Sequence, residues 1–500
     1  MIGRIKNLVY NNIAQGVFQL TTILVGFYLT RFIILNFGSE LNGLMVSINQ
    51  ILGYFALVEA GISGSIIYAL YKPVYENDKI SVNRLLSTSK SFFTKAGFTF
   101  LFFTIIYLSL TAYLVNKSSL NKIDLLFFLI ILSIPIFIRI FYISKYKSIF
   151  IADKKEYFIS LSSIIFLITN FLIITISTNA GYDLIVVKLF AIFSTIIQLI
   201  VLYLSFNRIY PDYNFKSTKI LDTIDNKNDV MWNQVLTGLI HGLPIFIASI
   251  LLDFKTVSVL SIYLLLIHSV SGFISVLSNN IVPHLGEILI TNKNKLLKKI
   301  YEKYEYYYFI ILTYSFSCTA LLIQPFLELY TNSIEDANYI QTNIIFLCLL
   351  LGILNLVKST RGAIMQADGQ FKITKNQLII QIISAISFGM VLTYMYGLFG
   401  LLSSLILSHL IRNFLIFIYS YKKYKFINTK YSFKNITILF IFIFISFIFT
   451  LYFPMQFSNY KDFIGYSIVV FIVNLFLILI TFEHFNSYYS LKTLIKLSKK

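Results

Sequence analysis

The feature that most constrains this chain is a recurring apolar run about 20 residues long, broken by short polar segments. A helix rises about 1.5 Å per residue, so about 20 apolar residues cross the hydrocarbon core of a bilayer. Fourteen runs meet that length, from 11–36 near the start of the chain to 463–483 near its end. Backbone groups inside lipid have no water to bond, so each such run must be helical. The expected fold is an all-α integral membrane protein of about fourteen transmembrane helices. The tightest junctions are at Gly38 and Gly397, where two spans are joined by a very short turn.

Charge placement sets the orientation. The net charge of +19 would suggest nucleic acid in a soluble protein, but only 13% of the residues are charged, half the soluble average of about 25%. With the N-terminus inside, 33 of the 41 Lys and Arg fall in the inner segments. Four more, Lys117, Lys122, Lys255 and Lys461, lie in outer loops, and Arg31, Arg139, Lys188 and Arg412 lie within spans. Cytoplasmic loops carry the excess of basic residues, so both termini are expected in the cytoplasm. This accounts for the charge with no nucleic-acid partner. The longest polar stretches, 72–95 and 208–230, fall on that inner side.

Other features have simple readings. Arg4 and Lys6 precede an apolar run with no small-residue cleavage site after it, so the first span is expected to remain as an anchor. Cys318 and Cys348 lie inside apolar runs and read as core packing. Tyr304, Tyr306, Tyr307, Tyr308, Tyr421 and Tyr424 sit where spans meet the inner face, as interfacial anchors do.

An internal repeat divides the chain. Ala152-Asp153 comes after the fourth span and Ala367-Asp368 after the tenth, each leading into a span, a short turn (Tyr182-Asp183-Leu184 or Tyr396-Gly397-Leu398) and another span. Six helices separate the copies, an even number, so both halves share one orientation. The expected organisation is an N-terminal six-helix lobe (1–207), a cytoplasmic linker (208–230), a C-terminal six-helix lobe (231–421), and two additional helices with a basic tail (422–500).

Several segments resemble bacterial polysaccharide flippases. They are Tyr28-Leu29-Thr30-Arg31, Phe37-Gly38-Ser39-Glu40 with Gly43-Leu44, Val58-Glu59-Ala60-Gly61-Ile62, Leu70-Tyr71-Lys72-Pro73 with Asn77-Asp78, the two Ala-Asp segments, and Gly397-Leu398-Phe399-Gly400. In this order they are similar to the Wzx-type branch of the multidrug/oligosaccharidyl-lipid/polysaccharide exporter superfamily. The resemblance implies two six-helix lobes around a central cavity in the bacterial cytoplasmic (inner) membrane. It also implies transfer of undecaprenyl-diphosphate-linked oligosaccharide repeat units, for O-antigen, lipopolysaccharide or capsule. Partners would be the lipid-linked oligosaccharide, the bilayer and other polysaccharide-assembly membrane proteins. The family usually carries a polar residue near His241 and a carboxylate near Asp253, and this chain has both.

Charges within spans are the candidate site residues, because each costs about 2.5–3.5 kcal/mol at the bilayer centre. Counting along the helices puts Glu59 ~25 Å and Arg139 ~22 Å from the outer boundary, so an ion pair is expected, with snorkelling of both toward the inner face as the alternative. Arg31 and Lys188 come out ~9 Å below the outer face, either lining a cavity or snorkelling. Arg412 shares a helix face with Ser404 and Ser408, a stripe expected to line the cavity. Further stripes run through Asn12, Gln15, Gln19 and Thr22, through Gln234, Thr237 and His241, and through Ser261, His268, Ser275 and Asn279. Helix packing competes with cavity lining for each of them. His241, His268 and His409 fall near the midplane and could titrate with a proton gradient or bond sugars or diphosphate. Gly242 beside Pro244 reads as a hinge or a static kink.

No P-loop, Gly-x-Ser-x-Gly or His-Glu-x-x-His motif occurs. No His, Cys and carboxylate set has metal-ligand spacing. The expectation is therefore not an enzyme, with no metal or cofactor and with coupling to protons or sodium. The competing classes are a polysaccharide polymerase or lipid-dependent glycosyltransferase, disfavoured by short outer loops, and a drug or cation exporter, disfavoured by the excess of cations over Glu59.

Overall fold

In the computed structural model the chain is described at residues 2–109, 118–218, 228–291 and 294–485, and every regular element among the described residues is helical. The helices are α1 (Ile2–Tyr75), α2 (Lys79–Ser109), α3 (Lys122–Ala152), α4 (Tyr157–Asn179), α5 (Leu184–Ile209) and α6 (Asn228–Leu251). They continue as α7 (Phe254–Ile290), α8 (Asn294–Tyr330), α9 (Thr342–Ala367), α10 (Phe371–Lys423), α11 (Thr429–Tyr452) and α12 (Tyr460–Phe485). Among the described residues, twelve are long and apolar enough to cross a membrane.

Two of the twelve are pairs of spans. α1 breaks at Gly38 (φ 86, ψ 163) and α10 at Gly397 (φ 58, ψ −137), conformations that a Cβ would oppose. An added Cβ at Gly400 would fall 1.9 Å from the Leu392 carbonyl oxygen, so the chain folds tightly back after Gly397. Fourteen segments of spanning length result among the described residues, as the apolar runs require.

The polar stretch 72–95 is not a loop. α2 starts at Lys79, capped by the Asp78 carboxylate, which accepts from the backbone N–H of Ile80 and Ser81 at 3.1 Å. Hydrogen bonds from Ser81 and Ile80 hold Asp78 below its usual pKa. Val82, Leu85, Leu86 and Phe93 are buried at helical spacing, so this polar-looking segment still packs one apolar stripe.

Contacts divide the chain into two compact units, Met1–Ser258 and Val259–Lys500. In the first unit, Leu44, Ile48, Leu52, Phe100, Phe128 and Leu129 form one buried cluster. A second gathers Leu70, Leu86, Phe93, Phe150 and Phe206. α6 belongs with α1 in this unit. Tyr54 donates to the Leu239 carbonyl at 3.0 Å, and an added Cβ at Gly242 would lie 1.9 Å from the Gln50 amide. The glycine beside Pro244 thus accommodates a close neighbour, and α6 runs through the proline as one helix. The start of the expected linker folds back on the unit: Lys79 bridges to Asp212 at 2.6 Å, and Phe215 packs its ring on Tyr146 and Phe206.

The second unit has its own core, with Leu285, Leu297, Tyr301, Ile364, Met365, Ile416 and Tyr424 at its centre. Both cysteines are buried there as free thiols. Outward surfaces carry exposed apolar side chains such as Leu24, Phe102, Ile176, Phe444 and Phe476, as lipid contact demands.

Candidate functional site

The polar interior of the first unit is built around a π-helical turn in α3. Pro135 has no N–H to give the preceding turn, and the helix passes into a π-helical turn at Arg139–Ile143. The backbone N–H of Ser144 closes that turn on the Arg139 carbonyl, and the Ser144 hydroxyl lies within hydrogen-bond reach of the same carbonyl, at 2.9 Å, and of the Glu59 carboxylate. The turn thereby joins α3 to the second span of α1.

Above it lies a cavity of about 450 Å³, lined by Asn49, Glu59, Arg139, Asn170, Lys188 and Thr195 among its polar residues. Pro135, Ile136, Ile140 and Phe166 supply apolar wall. Three of the charges expected within spans, Glu59, Arg139 and Lys188, therefore meet in one space. The expected Glu59–Arg139 ion pair is not formed. Among the described residues neither has a salt-bridge partner within 4.0 Å, and the Glu59 carboxylate accepts from Ser144 instead. Arg139 is exposed into the cavity instead, and Lys188 is half-buried without a hydrogen bond or ion pair among the described residues.

Lys147 is a residue that sequence reasoning missed. Counted among inner-face charges, it is half-buried in the helical turn that follows the π segment. The π turn inserts one residue and rotates the rest of α3 by about 100°, which no regular helical wheel anticipates.

The second unit arranges its polar groups differently. His409 is buried on α10, with its Nδ1 3.4 Å from the Lys358 ammonium. Lys358 also donates to the Asn355 carbonyl at 2.7 Å and to its side chain at 2.8 Å. Arg412 donates to Gln381 at 3.0 Å. Ser404 and Ser408 are fully buried and bond back to the Leu401 and Leu405 carbonyls, so their stripe faces protein rather than a wet surface. Lys358 is a second group that sequence reasoning missed. A third is Glu305, a carboxylate 1% exposed that accepts from Ser432 at 2.8 Å. Each was hidden by its place at the end of an apolar run.

The remaining candidates stand apart from these clusters. Arg31 is half-buried on the first span of α1, and His241 and His268 are exposed on α6 and α7; each interacts with a neighbouring group. Asn12, Gln15 and Thr22 on α1, and Gln234, Thr237 and His241 on α6, are exposed polar stripes. Lipid does not solvate such groups, so these faces require water or a polar ligand.

No protein-family model matches this chain, and no curated protein does. Solved structures match its fold. The lipid II flippase MurJ in an inward closed conformation aligns over 95% of this chain and 99% of its own, with a TM-score of 0.64 at 16% identity. An inward-facing multidrug resistance MATE family transporter of the MOP superfamily aligns over 83% and 98%, with a TM-score of 0.63 at 14% identity. A MATE transporter of Vibrio cholerae covers 87% and 100%, with a TM-score of 0.54 at 13% identity. The chain therefore has the all-α membrane transporter fold that MurJ and the MATE proteins share.

Proposed function

We propose that this protein is a lipid-linked oligosaccharide flippase of the Wzx type. It moves undecaprenyl-diphosphate-linked repeat units from the inner to the outer leaflet of the bacterial cytoplasmic membrane by alternating access. Both termini lie in the cytoplasm, and the product feeds a surface polysaccharide such as O-antigen or capsule. The observation that carries this reading is the likeness to a lipid flippase over nearly the whole of both chains. The MATE transporter leaves 17% of this chain unmatched, and residues 422–500, with α11 and α12, are of that order of length.

The chemistry of the site supports the same reading. Diphosphate is held best by charge-assisted hydrogen bonds, and intramembrane Arg and Lys outnumber Glu59 in the first unit's cavity. Exposed Asn, Gln and Thr on α1 and α6 offer partners for sugar hydroxyls. The MATE likeness favours drug or cation export as a second reading, with Glu59 as the cation ligand. The cations beside that carboxylate oppose it.

The test is the leaflet in which lipid-linked oligosaccharide collects when the protein is depleted. Single repeat units held on the cytoplasmic leaflet are expected. Unpolymerised units on the outer leaflet would assign a polymerase instead, and unchanged glycan with drug sensitivity would assign the exporter.

A further inference from the structure

The second unit has a cleft of its own, about 400 Å³, between α7 and the first half of α8. Its α8 side is one helical face, because Ile300, Lys303, Tyr304, Tyr307 and Ile311 recur at helical spacing. Asn280, Ile281 and His284 of α7 form the facing side. Tyr304 donates to the Ser278 hydroxyl at 3.1 Å and Tyr308 to the Leu356 carbonyl at 3.0 Å, which fixes these two rings as wall. The groups at the rim are not engaged in this way. Asn280, His284 and Lys303 are exposed, and among the described residues none of them has a hydrogen bond or an ion pair. The Tyr307 hydroxyl likewise has no hydrogen-bond partner there.

Ammonium, imidazole, amide and phenol all offer donors, and no carboxylate among the described residues lines the cleft. The acids nearest along α8 are used elsewhere. Glu302 lies 3.9 Å from Lys298, and the Glu305 carboxylate accepts from Ser432. The rim therefore suits an anionic oxygen group. The rest of the cleft does not. Ile281, Ile300 and Ile311 line it with the tyrosine rings, and Ile311 lies about 12 Å along α8 from Lys303. A small soluble anion would leave that apolar wall uncovered, whereas a phospholipid covers it with an acyl chain and sets its phosphate at the donors. Lys295, Lys298 and Lys299, exposed on the turns of α8 that precede the cleft, add the basic charge that draws an anionic lipid surface.

We infer that this cleft is a binding site for one anionic glycerophospholipid. Lys303, His284 and Asn280 hold its phosphate, Tyr307 adds a hydroxyl, and an acyl chain runs along Ile281 and Ile311. The lipid belongs to the inner leaflet under the orientation proposed above; its binding depends neither on that orientation nor on what the chain transports. The residues of this site all belong to the second unit, and those of the Glu59, Arg139 and Lys188 cavity to the first.

The test uses the full-length protein, delipidated in detergent and then given phosphatidylglycerol, phosphatidylcholine, inorganic phosphate or a polyprenyl diphosphate. Phosphatidylglycerol at about a hundred times its Kd is expected to raise the unfolding temperature by about 2–4 °C over phosphatidylcholine. Native mass spectrometry should show a phosphatidylglycerol retained under conditions that strip phosphatidylcholine. Lys303→Gln with His284→Gln should remove most of the rise and the retained lipid, and Lys430→Gln, at an exposed lysine outside the cleft, should keep both. Each variant is compared with its own value in phosphatidylcholine, so poor folding does not mimic lost binding. Ile311→Asn should weaken retention too, a loss that a site for a soluble anion would not show. The inference is overturned if the two phospholipids act alike, if inorganic phosphate gives the same rise, or if the double variant keeps the lipid. A preference for the polyprenyl diphosphate would also overturn it, by making the cleft a place for the transported lipid. A phosphatidylglycerol response in a protein whose depletion leaves lipid-linked oligosaccharide unchanged would remove the flippase reading and leave the site standing.

Discussion

The two units carry the same clasp and different interiors. In the first, Asp153 ends α3, accepts the Tyr210 hydroxyl at 2.7 Å and bridges to Lys155 at 2.7 Å. In the second, Asp368 ends α9, accepts the Tyr424 hydroxyl at 2.8 Å and bridges to Lys423 at 2.6 Å. A left-handed residue comes directly after each aspartate, Lys154 at φ 58 and Gly369 at φ 68. Burial, and then the aspartate beside it, pushes both tyrosine pKa values up. Behind these matching clasps the interiors part. The first unit leaves Arg139 and Lys188 unpaired in an open cavity, whereas the second ties Lys358 to Asn355 and Arg412 to Gln381. The difference teaches that the repeat preserves the scaffold while ligand chemistry is free to concentrate in one half.

The largest effect should come from removing the unpaired cations. Lys188→Gln combined with Arg139→Gln is expected to lower transport of lipid-linked oligosaccharide at least about tenfold, the equivalent of about 1.4 kcal/mol, with little loss of folded protein. Arg412→Gln should do the reverse. It strands Gln381 in a buried setting, which costs about 1–3 kcal/mol of stability and leaves transport per folded molecule near normal. Transport assays normalised to folded protein separate the two, and equal losses from both would erase the contrast between the units.

A charge exchange sharpens the same point. Glu59→Arg with Arg139→Glu would restore function if the pair acted as a salt bridge. Because Ser144 holds Glu59, the doubly exchanged protein is expected to stay as inactive as either single variant, about tenfold or more below the natural chain. Recovery of transport would show that the ion pair forms during the cycle.

The contrast between the units was legible in the sequence only as far as a linear pattern can encode it. Apolar runs of span length are a local property, so the fourteen segments and the reversals at Gly38 and Gly397 could be read directly. The Ala-Asp repeat was legible too, because the same short turn recurs with its aspartate. Depth along a helix was partly legible: it found Glu59 and Arg139 but not their meeting with Lys188 in one cavity. The π turn after Pro135 shifts the register there, and tertiary packing of α1 against α3 and α5 decides which side chains meet. Polarity alone also misread direction. Ser404 and Ser408 satisfy their hydroxyls on their own helix, so a polar stripe of serines packs as readily as it lines a cavity.

The reversals offer a middle-sized effect. Gly38→Val and Gly397→Val each place a branched side chain in a conformation that opposes it, at a cost of about 1–3 kcal/mol. Both units should lose stability alike, read as a lower apparent unfolding temperature, since the two breaks serve the same geometry. A large loss in one unit alone would mean that its neighbour tolerates the strain by opening the hairpin.

The smallest effect is the difference in stability between two variants, one in each clasp. Tyr210→Phe and Tyr424→Phe each remove one hydrogen bond to a carboxylate and should cost about 1.5–3 kcal/mol, less where water replaces the hydroxyl. The two should not be equal. In the first unit the cation on Asp153 is Lys155, two residues away, so the salt bridge persists without holding α5. In the second, Lys423 and Tyr424 both come from the end of α10, and Gln370 adds a bond to Asp368 at 3.1 Å while accepting from Tyr419 at 2.7 Å. Losing Tyr424 therefore leaves the two segments still tied, whereas losing Tyr210 removes the direct bond from the end of α5 to Asp153. Unfolding of the two single variants under one condition should show the Tyr210→Phe protein to be the less stable. The opposite order would mean that apolar packing of Tyr210 among Phe150, Phe206 and Tyr213, which the substitution largely keeps, dominates that clasp.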